Sequence, residues 1–285
     1  MKQRVITGIG AALFGVLVMC FVFTPVVGVV IAIVAGIASF EIQHVAKVKN
    51  KILLFSNIAV AAAMPLILEY DLLDMLPFPK TIIVTAYVLI MLFIMLGSYK
   101  DTKFEDTIMS MFAGVVVPYA LASVILLRDI ILEHPELFNK SHAVYLILFG
   151  LFCAWCNDTF AYFVGRKFGK HKLAPNISPK KTIEGAIGGV VLTMIFNVIV
   201  FFVFDYFFFE LHTLKVWMII PASLFLSTIS ICGDLSASVI KRNFGEKDYG
   251  TIFPGHGGIM DRFDSYSFVM PVLYAIVLTI LNWGV

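Results

Sequence analysis

Apolar residues fall in nine long runs along this chain, at 5 to 23, 25 to 40, 52 to 68, 81 to 97, 107 to 127, 142 to 164, 183 to 206, 216 to 240 and 266 to 283, with short polar stretches between them. A helix needs about 20 predominantly apolar residues to cross a bilayer. Each run therefore predicts a membrane-spanning helix, and the expected fold class is all-α, a polytopic integral membrane protein with about nine transmembrane helices. The first two runs meet at Thr24-Pro25, a junction compatible with a tight hairpin or a re-entrant pair. No sizeable soluble domain fits between the runs. The pattern divides the chain into 1–140, with about five N-terminal helices, and 141–285, which carries two long polar loops at 165–182 and 241–264.

Composition sharpens this picture. Hydrophobic residues make up 60% of the 285 positions against 14% charged, and mean hydropathy is +0.94, far from the balance of a soluble domain. Seventeen of the 21 Lys and Arg lie in segments that share one side if the N-terminus is inside, leaving Lys80, Arg128, Lys140 and Lys215 opposite. Because basic loops resist translocation, the N-terminus and both long loops are expected in the cytoplasm and the C-terminus outside, in the inner (plasma) membrane. The opening Met-Lys-Gln-Arg is read as the start of the first helix, since no small-x-small cleavage pattern precedes a soluble domain. Nothing suggests nucleic acid. Cys20, Cys153, Cys156 and Cys232 all lie inside apolar runs and read as packing residues. The Phe-rich stretch from Phe201 to Phe209 reads as a lipid-facing helix end.

Polar residues that are costly in a membrane need a reason. Asp158 and Asp234 sit inside runs six and eight near their cytoplasmic ends, where a charge at helix centre costs about 2.5–3.5 kcal/mol. Their similar depth suggests an active site in a shared, cytoplasm-facing polar cavity. Asp234, Ser238 and Lys241 recur at i, i+4 and i+7, so one helix face carries all three.

The loop after this face reads KRNFGEKDYGTIFPGHGGIMDRFD and mixes cations, acids and glycines. Lys241, Arg242, Lys247 and Arg262 suit phosphate, and Gly255, Gly257 and Gly258 permit close backbone approach, with N–H groups expected to be free for an anion. Asp261 and Asp264 offer hard oxygen ligands. Mg²⁺ is usually held by one or two carboxylates with phosphate oxygens and water, so Asp234 with Asp261 would suffice. In the other loop, Arg166, Lys167, Lys170 and Lys172 read as positive-inside anchors, whereas Ser178-Pro-Lys180-Lys181-Thr182-Ile-Glu-Gly185 has the composition of a phosphate-binding segment.

Together these residues resemble the phosphatidate cytidylyltransferase family, also called CDP-diacylglycerol synthase. The match reads Ser238, Lys241-Arg242, Lys247-Asp248, Gly250, Phe253-Pro254, His256-Gly257-Gly258, Asp261-Arg262 and Asp264, every spacing kept, and Asp158 and the Ser-Pro-Lys-Lys-Thr segment extend it over 158–264. The resemblance implies Mg²⁺-dependent transfer of CMP from CTP to phosphatidate. It places metal at Asp158, Asp234, Asp261 and Asp264, with Lys241, Arg242 and Arg262 joining Asp234 and Asp261 in catalysis. Substrate contacts are expected at Ser178, Lys180, Lys181, Thr182, Ser238, Lys247, His256, Gly257 and Gly258. A second cation and a homodimer stay open, and the first five runs match only as generic apolar helices.

Two neighbouring activities would share such a site, a CTP-using polyprenol kinase and a cytidylyltransferase for ether-linked lipid phosphates. A cation-coupled transporter could also use Asp158 and Asp234, but it needs no glycine-rich phosphate loop and the chain shows no inverted repeat. The topology is testable in a variant free of native cysteines. A single cysteine at Lys172 or Lys247 should resist an impermeant thiol reagent added to intact cells, and one at Gly284 should react. The opposite labelling pattern would invert the orientation.

Overall fold

Among the described residues of the computed structural model, seven helices are long and apolar enough to cross a membrane: α1 (Val26–Val45), α2 (Lys51–Glu69), α3 (Lys80–Gly97), α4 (Phe104–Leu132), α5 (Lys140–Phe168), α6 (Ile183–Phe207) and α7 (Val216–Asn243). A one-turn helix, α8 (Met260–Phe263), and a shorter apolar helix, α9 (Tyr266–Asn282), follow. The only strands among the described residues are β1 (Lys172–Ala174) and β2 (Ser178–Thr182), an antiparallel hairpin between α5 and α6. The structure describes residues 15–209, 212–253 and 257–283. The chain is thus an all-α polytopic membrane protein, and α1 to α7 with α9 take up the second to ninth apolar runs. Most of the first run, with Lys2 and Arg4, lies outside the described residues, as do Pro254, Gly255 and His256.

Packing groups the chain differently from a cut at residue 140. One compact unit comprises 1–125 with 243–262, the other 126–242 with 263–285. The long loop after α7 therefore belongs with the N-terminal helices.

Within the first unit, buried polar side chains tie apolar helices together, as expected where no water competes. Asn50 caps α2 by accepting from the Ile52 and Leu53 N–H groups, and its Nδ2 donates to Ser98 Oγ at 2.7 Å at the end of α3. Asn57, fully buried, accepts from Tyr87 Oη at 2.6 Å. Gly114, in a π turn of α4 at Phe112–Val116, lies against the Asn57 side chain. Among the residues of α3, only Met91 is buried, so this helix presents nearly its whole surface outward.

The second unit is organised by close helix approach. A Cβ on Gly185 would lie 2.7 Å from the Ala161 carbonyl oxygen and 3.0 Å from Gly165 Cα, so α5 and α6 meet backbone to backbone where both carry glycine. Thr182 starts α6 by accepting the Gly185 N–H on its hydroxyl. Deeper in the same helices lies a buried polar column: Asn157 Nδ2 donates to the Ser227 carbonyl at 3.1 Å and Asn197 Nδ2 to Ser223 Oγ at 2.9 Å. The Phe-rich end of α6 is only partly as expected. Phe202, Phe207 and Phe208 face outward, but Phe201 and Phe209 are buried against Tyr145, and Phe209 stacks on His142. Cys153 and Cys156 lie in a second π turn, Phe152–Cys156, just before Asn157 and Asp158.

The α5–α6 contact gives a stability prediction. Gly185→Val should cost about 1–3 kcal/mol through overpacking, read as a lower melting temperature of the detergent-solubilised protein. Gly97→Ala, at a position with open space around it, should leave that temperature unchanged or raise it.

Candidate active site

The second unit gathers five ionisable side chains that the sequence scatters over more than a hundred positions. Asp158 comes from α5 in the first turn after the π segment, Asp234 and Lys241 from one face of α7, Lys181 from β2, and Asp264 from the turn before α9. On β2 Lys180 is exposed while Lys181 is half-buried, and the Lys181 Nζ pairs with Asp234 Oδ2. Ser238 and Lys241, one and two turns beyond Asp234, are both buried, which bears out the single polar face read from their spacing.

Asp264 is the most enclosed of the acids, 7% exposed, and its Oδ1 accepts the Ser265 N–H at 2.7 Å. Burial first, and then the Asp234 carboxylate, push its pKa up to about 8; Lys241 opposes this, and Asp158 adds to it. Three carboxylates thus share two ammonium groups. Crowded hard oxygens that outnumber the ammonium groups beside them form a donor set that suits a divalent cation. Among the described residues no three acid, His or Cys side chains converge tightly enough to enclose an ion. A metal here would take one or two carboxylates and complete its shell with phosphate oxygens and water.

Neighbouring residues hold this arrangement in place. Glu184 accepts from the Lys170 and His171 N–H groups at 3.0 and 3.2 Å and pairs with His171 Nδ1 at 2.6 Å, pinning the turn out of α5 onto the start of α6. Arg242 Nε donates to the Ile177 carbonyl in the hairpin at 3.4 Å. Ser178 is half-buried at the start of β2, and the Thr182 hydroxyl is engaged as a helix cap. Lys172 is exposed on β1, as an anchoring charge should be.

The remaining expected residues lie in the first unit, on the loop after α7. Asp261 Oδ2 accepts the Tyr249 N–H at 2.7 Å and the Gly258 N–H at 2.9 Å. The Gly258 N–H is therefore not free for an anion, contrary to the expectation from the glycine run. Gly257 has φ +82°, the left-handed conformation glycine adopts without strain. Lys247 and Arg262 are exposed, and His256 is outside the described residues.

The sequence reading missed Glu41. It ended the second run at Phe40, but α1 continues to Val45, and Glu41 is 3% exposed with both carboxylate oxygens accepting from the loop, Oε1 from the Ile259 N–H at 3.0 Å and Oε2 from the Met260 N–H at 2.8 Å. The available signal was an acid on the last helical turn of an apolar run, where a bare charge is expensive.

A sequence model of the cytidylyltransferase family matches residues 2–280. The chain is 45% identical over 135 residues to the phosphatidate cytidylyltransferase of Staphylococcus haemolyticus, covering 47% of this chain and 50% of that protein. It is 42% identical over 142 residues to the enzyme of the same name from Staphylococcus saprophyticus, covering 50% and 52%. It is also 44% identical over 135 residues to that of Staphylococcus aureus, covering 47% and 50%. The chain spans about half the length of these curated relatives.

The Asp264 carboxyl makes stability depend on pH. Unfolded, it titrates near its ordinary 3.8; folded, at about 8. Between those values the folded protein keeps a proton the unfolded chain has lost, so this contribution is full below the lower value and drains away as pH rises through the upper one. Chelator-treated protein should melt at a lower temperature at about pH 9 than at about pH 6, and Asp264→Asn should shrink that difference. An undiminished difference in the variant would contradict the assignment.

Proposed function

The chain belongs to the cytidylyltransferase family, and from that premise we propose that it transfers CMP from CTP to phosphatidate, giving CDP-diacylglycerol and pyrophosphate. The observation that carries this reading is the cluster of Asp158, Asp234 and Asp264 with Lys181 and Lys241 at the ends of membrane helices. A phosphate oxygen of the lipid attacks the α-phosphorus of CTP, the bond from that phosphorus to the bridging oxygen breaks, and pyrophosphate leaves. No side chain has to act as the nucleophile, so the protein's task is positioning and charge neutralisation. Mg²⁺, when bound, neutralises phosphate charge and orients the leaving group.

Asp234 is the first metal ligand in this reading, with Asp158 and Asp264 beside it. Lys181 orients the Asp234 carboxylate, and Lys241, buried at the end of α7, offers its ammonium to phosphate. The exposed Lys180, Arg242, Lys247 and Arg262 take the polyphosphate and the lipid head group, with Ser178 and Ser238 as hydroxyl contacts. Asp261, whose Oδ2 braces its own loop, is a further metal ligand in this reading. In a plasma membrane with both loops cytoplasmic, the acyl chains stay in the leaflet while the head group meets CTP. A homodimer and a second cation remain part of the proposal.

Purified protein with labelled CTP, phosphatidate and Mg²⁺ should yield a labelled liponucleotide, and chelator should abolish it. Asp234→Asn should cut turnover at least about a hundredfold, the scale of a lost transition-state contact, with the protein still inserted; Lys172→Gln should change it only a few-fold. Full turnover in chelator would remove the metal mechanism. A product formed from polyprenol or ether-lipid phosphate in preference to phosphatidate would move the activity to those substrates.

A further inference from the structure

We infer that Glu41 is a positioning residue that sets Asp261 and Arg262 in place by clamping the loop on which they ride. This rests on the proposed reading of those two residues, and it gives α1 a part in the reaction.

Glu41 is a carboxylate near the C-terminal end of α1, a mostly apolar helix, and is almost wholly buried. Its two oxygens take two successive backbone N–H groups, those of Ile259 and Met260, at 3.0 and 2.8 Å. Met260 opens the single turn of α8 that carries Asp261 and Arg262. A fork of two charge-assisted hydrogen bonds fixes direction as well as distance, so the orientation of that turn is set from α1.

The loop is shaped around this carboxylate. A Cβ on Gly250 would meet Glu41 Oε1 and lie 2.8 Å from Cδ; a Cβ on Gly258 would lie 2.5 Å from both Cδ and Oε2. Both glycines leave the volume the carboxylate fills, one at each side of the loop. Asp261 closes the inner ring on the same segment through the Tyr249 and Gly258 N–H groups, and the Phe253 N–H donates to the Gly257 carbonyl at 2.9 Å. Removing the Glu41 fork would leave two buried N–H groups unpaired beside Asp261, and the turn would shift to find them partners.

The experiment uses the full chain in detergent and compares wild type with Glu41→Gln and Gly258→Ala. The first exchanges one acceptor for a donor facing an N–H; the second keeps Glu41 but fills its space. Amide hydrogen exchange reports the clamp without reference to activity. Exchange over 249–262 should quicken in both variants while α2 and α6 keep their protection. In the liponucleotide assay kcat should fall at least about tenfold, as for a slightly misplaced reacting group, with KM for phosphatidate little changed. In a Glu41→Ala background, adding Gly258→Ala should change the rate less than about twofold, because the two act through one contact.

Unchanged exchange at the loop in both variants would overturn the inference, as would a loss of activity that only tracks the amount of folded protein. If Glu41→Gln fails to fold, Gly258→Ala decides the outcome: wild-type exchange and rate there would overturn the clamp. Wild-type protein that makes no liponucleotide removes the activity reading alone, since loop exchange still tests the clamp.

Discussion

A carboxylate withdrawn from water among apolar helices has to be given partners or a proton, and the polar architecture of this chain follows from how its acids meet that demand. Glu41 and Asp261 take backbone N–H groups. Asp234 takes the ammonium of Lys181, and Asp264 holds its proton to about pH 8. These solutions differ in kind. Backbone N–H groups cannot titrate or move away, so acids that use them become fixed points of geometry. An acid that leans on a side-chain cation or a proton can exchange that partner.

The same demand explains the glycines. In the loop after α7, glycine beside cations reads as a phosphate cradle, yet Gly250 and Gly258 make room for the Glu41 carboxylate, and the Gly258 N–H goes to Asp261. Between α5 and α6 the missing side chains at Gly165 and Gly185 bring two backbones together and so set the hairpin holding Lys181 next to α7. Residue type alone does not separate these uses. Each glycine's neighbour does.

The helices were legible because length and apolarity are local properties, and runs two to nine each became a helix. The Asp234, Ser238 and Lys241 face was legible for the same reason, helical spacing being fixed. Features that depend on distant partners were not. Glu41 bonds to a residue 218 positions away, and the cost of an acid at the end of an apolar run was the one local sign of it, which does not name the partner. The π turns at Phe112–Val116 and Phe152–Cys156 answer to packing and not to any pattern in the runs. The inward turn of Phe201 and Phe209 depends on Tyr145, a residue of another helix. Of the expected site residues, Asp158, Asp234, Asp264, Lys181 and Lys241 meet in one unit, while Asp261 and its loop pack with the N-terminal helices.

That last grouping raises the question of why a loop so far along the chain should be held by a helix near its beginning. Glycine-rich backbone is expensive to order, and among the loop's own acids Asp261 already spends Oδ2 on the Tyr249 and Gly258 N–H groups. A carboxylate on a rigid helix supplies the acceptors from outside. It also removes a competing attraction, because successive unpaired N–H groups beside a turn form a concavity that draws anions. With Glu41 seated on the Ile259 and Met260 N–H groups, that concavity is filled by the protein's own carboxyl group. The acid in α1 therefore occupies the two N–H groups that an anion would otherwise find on this turn.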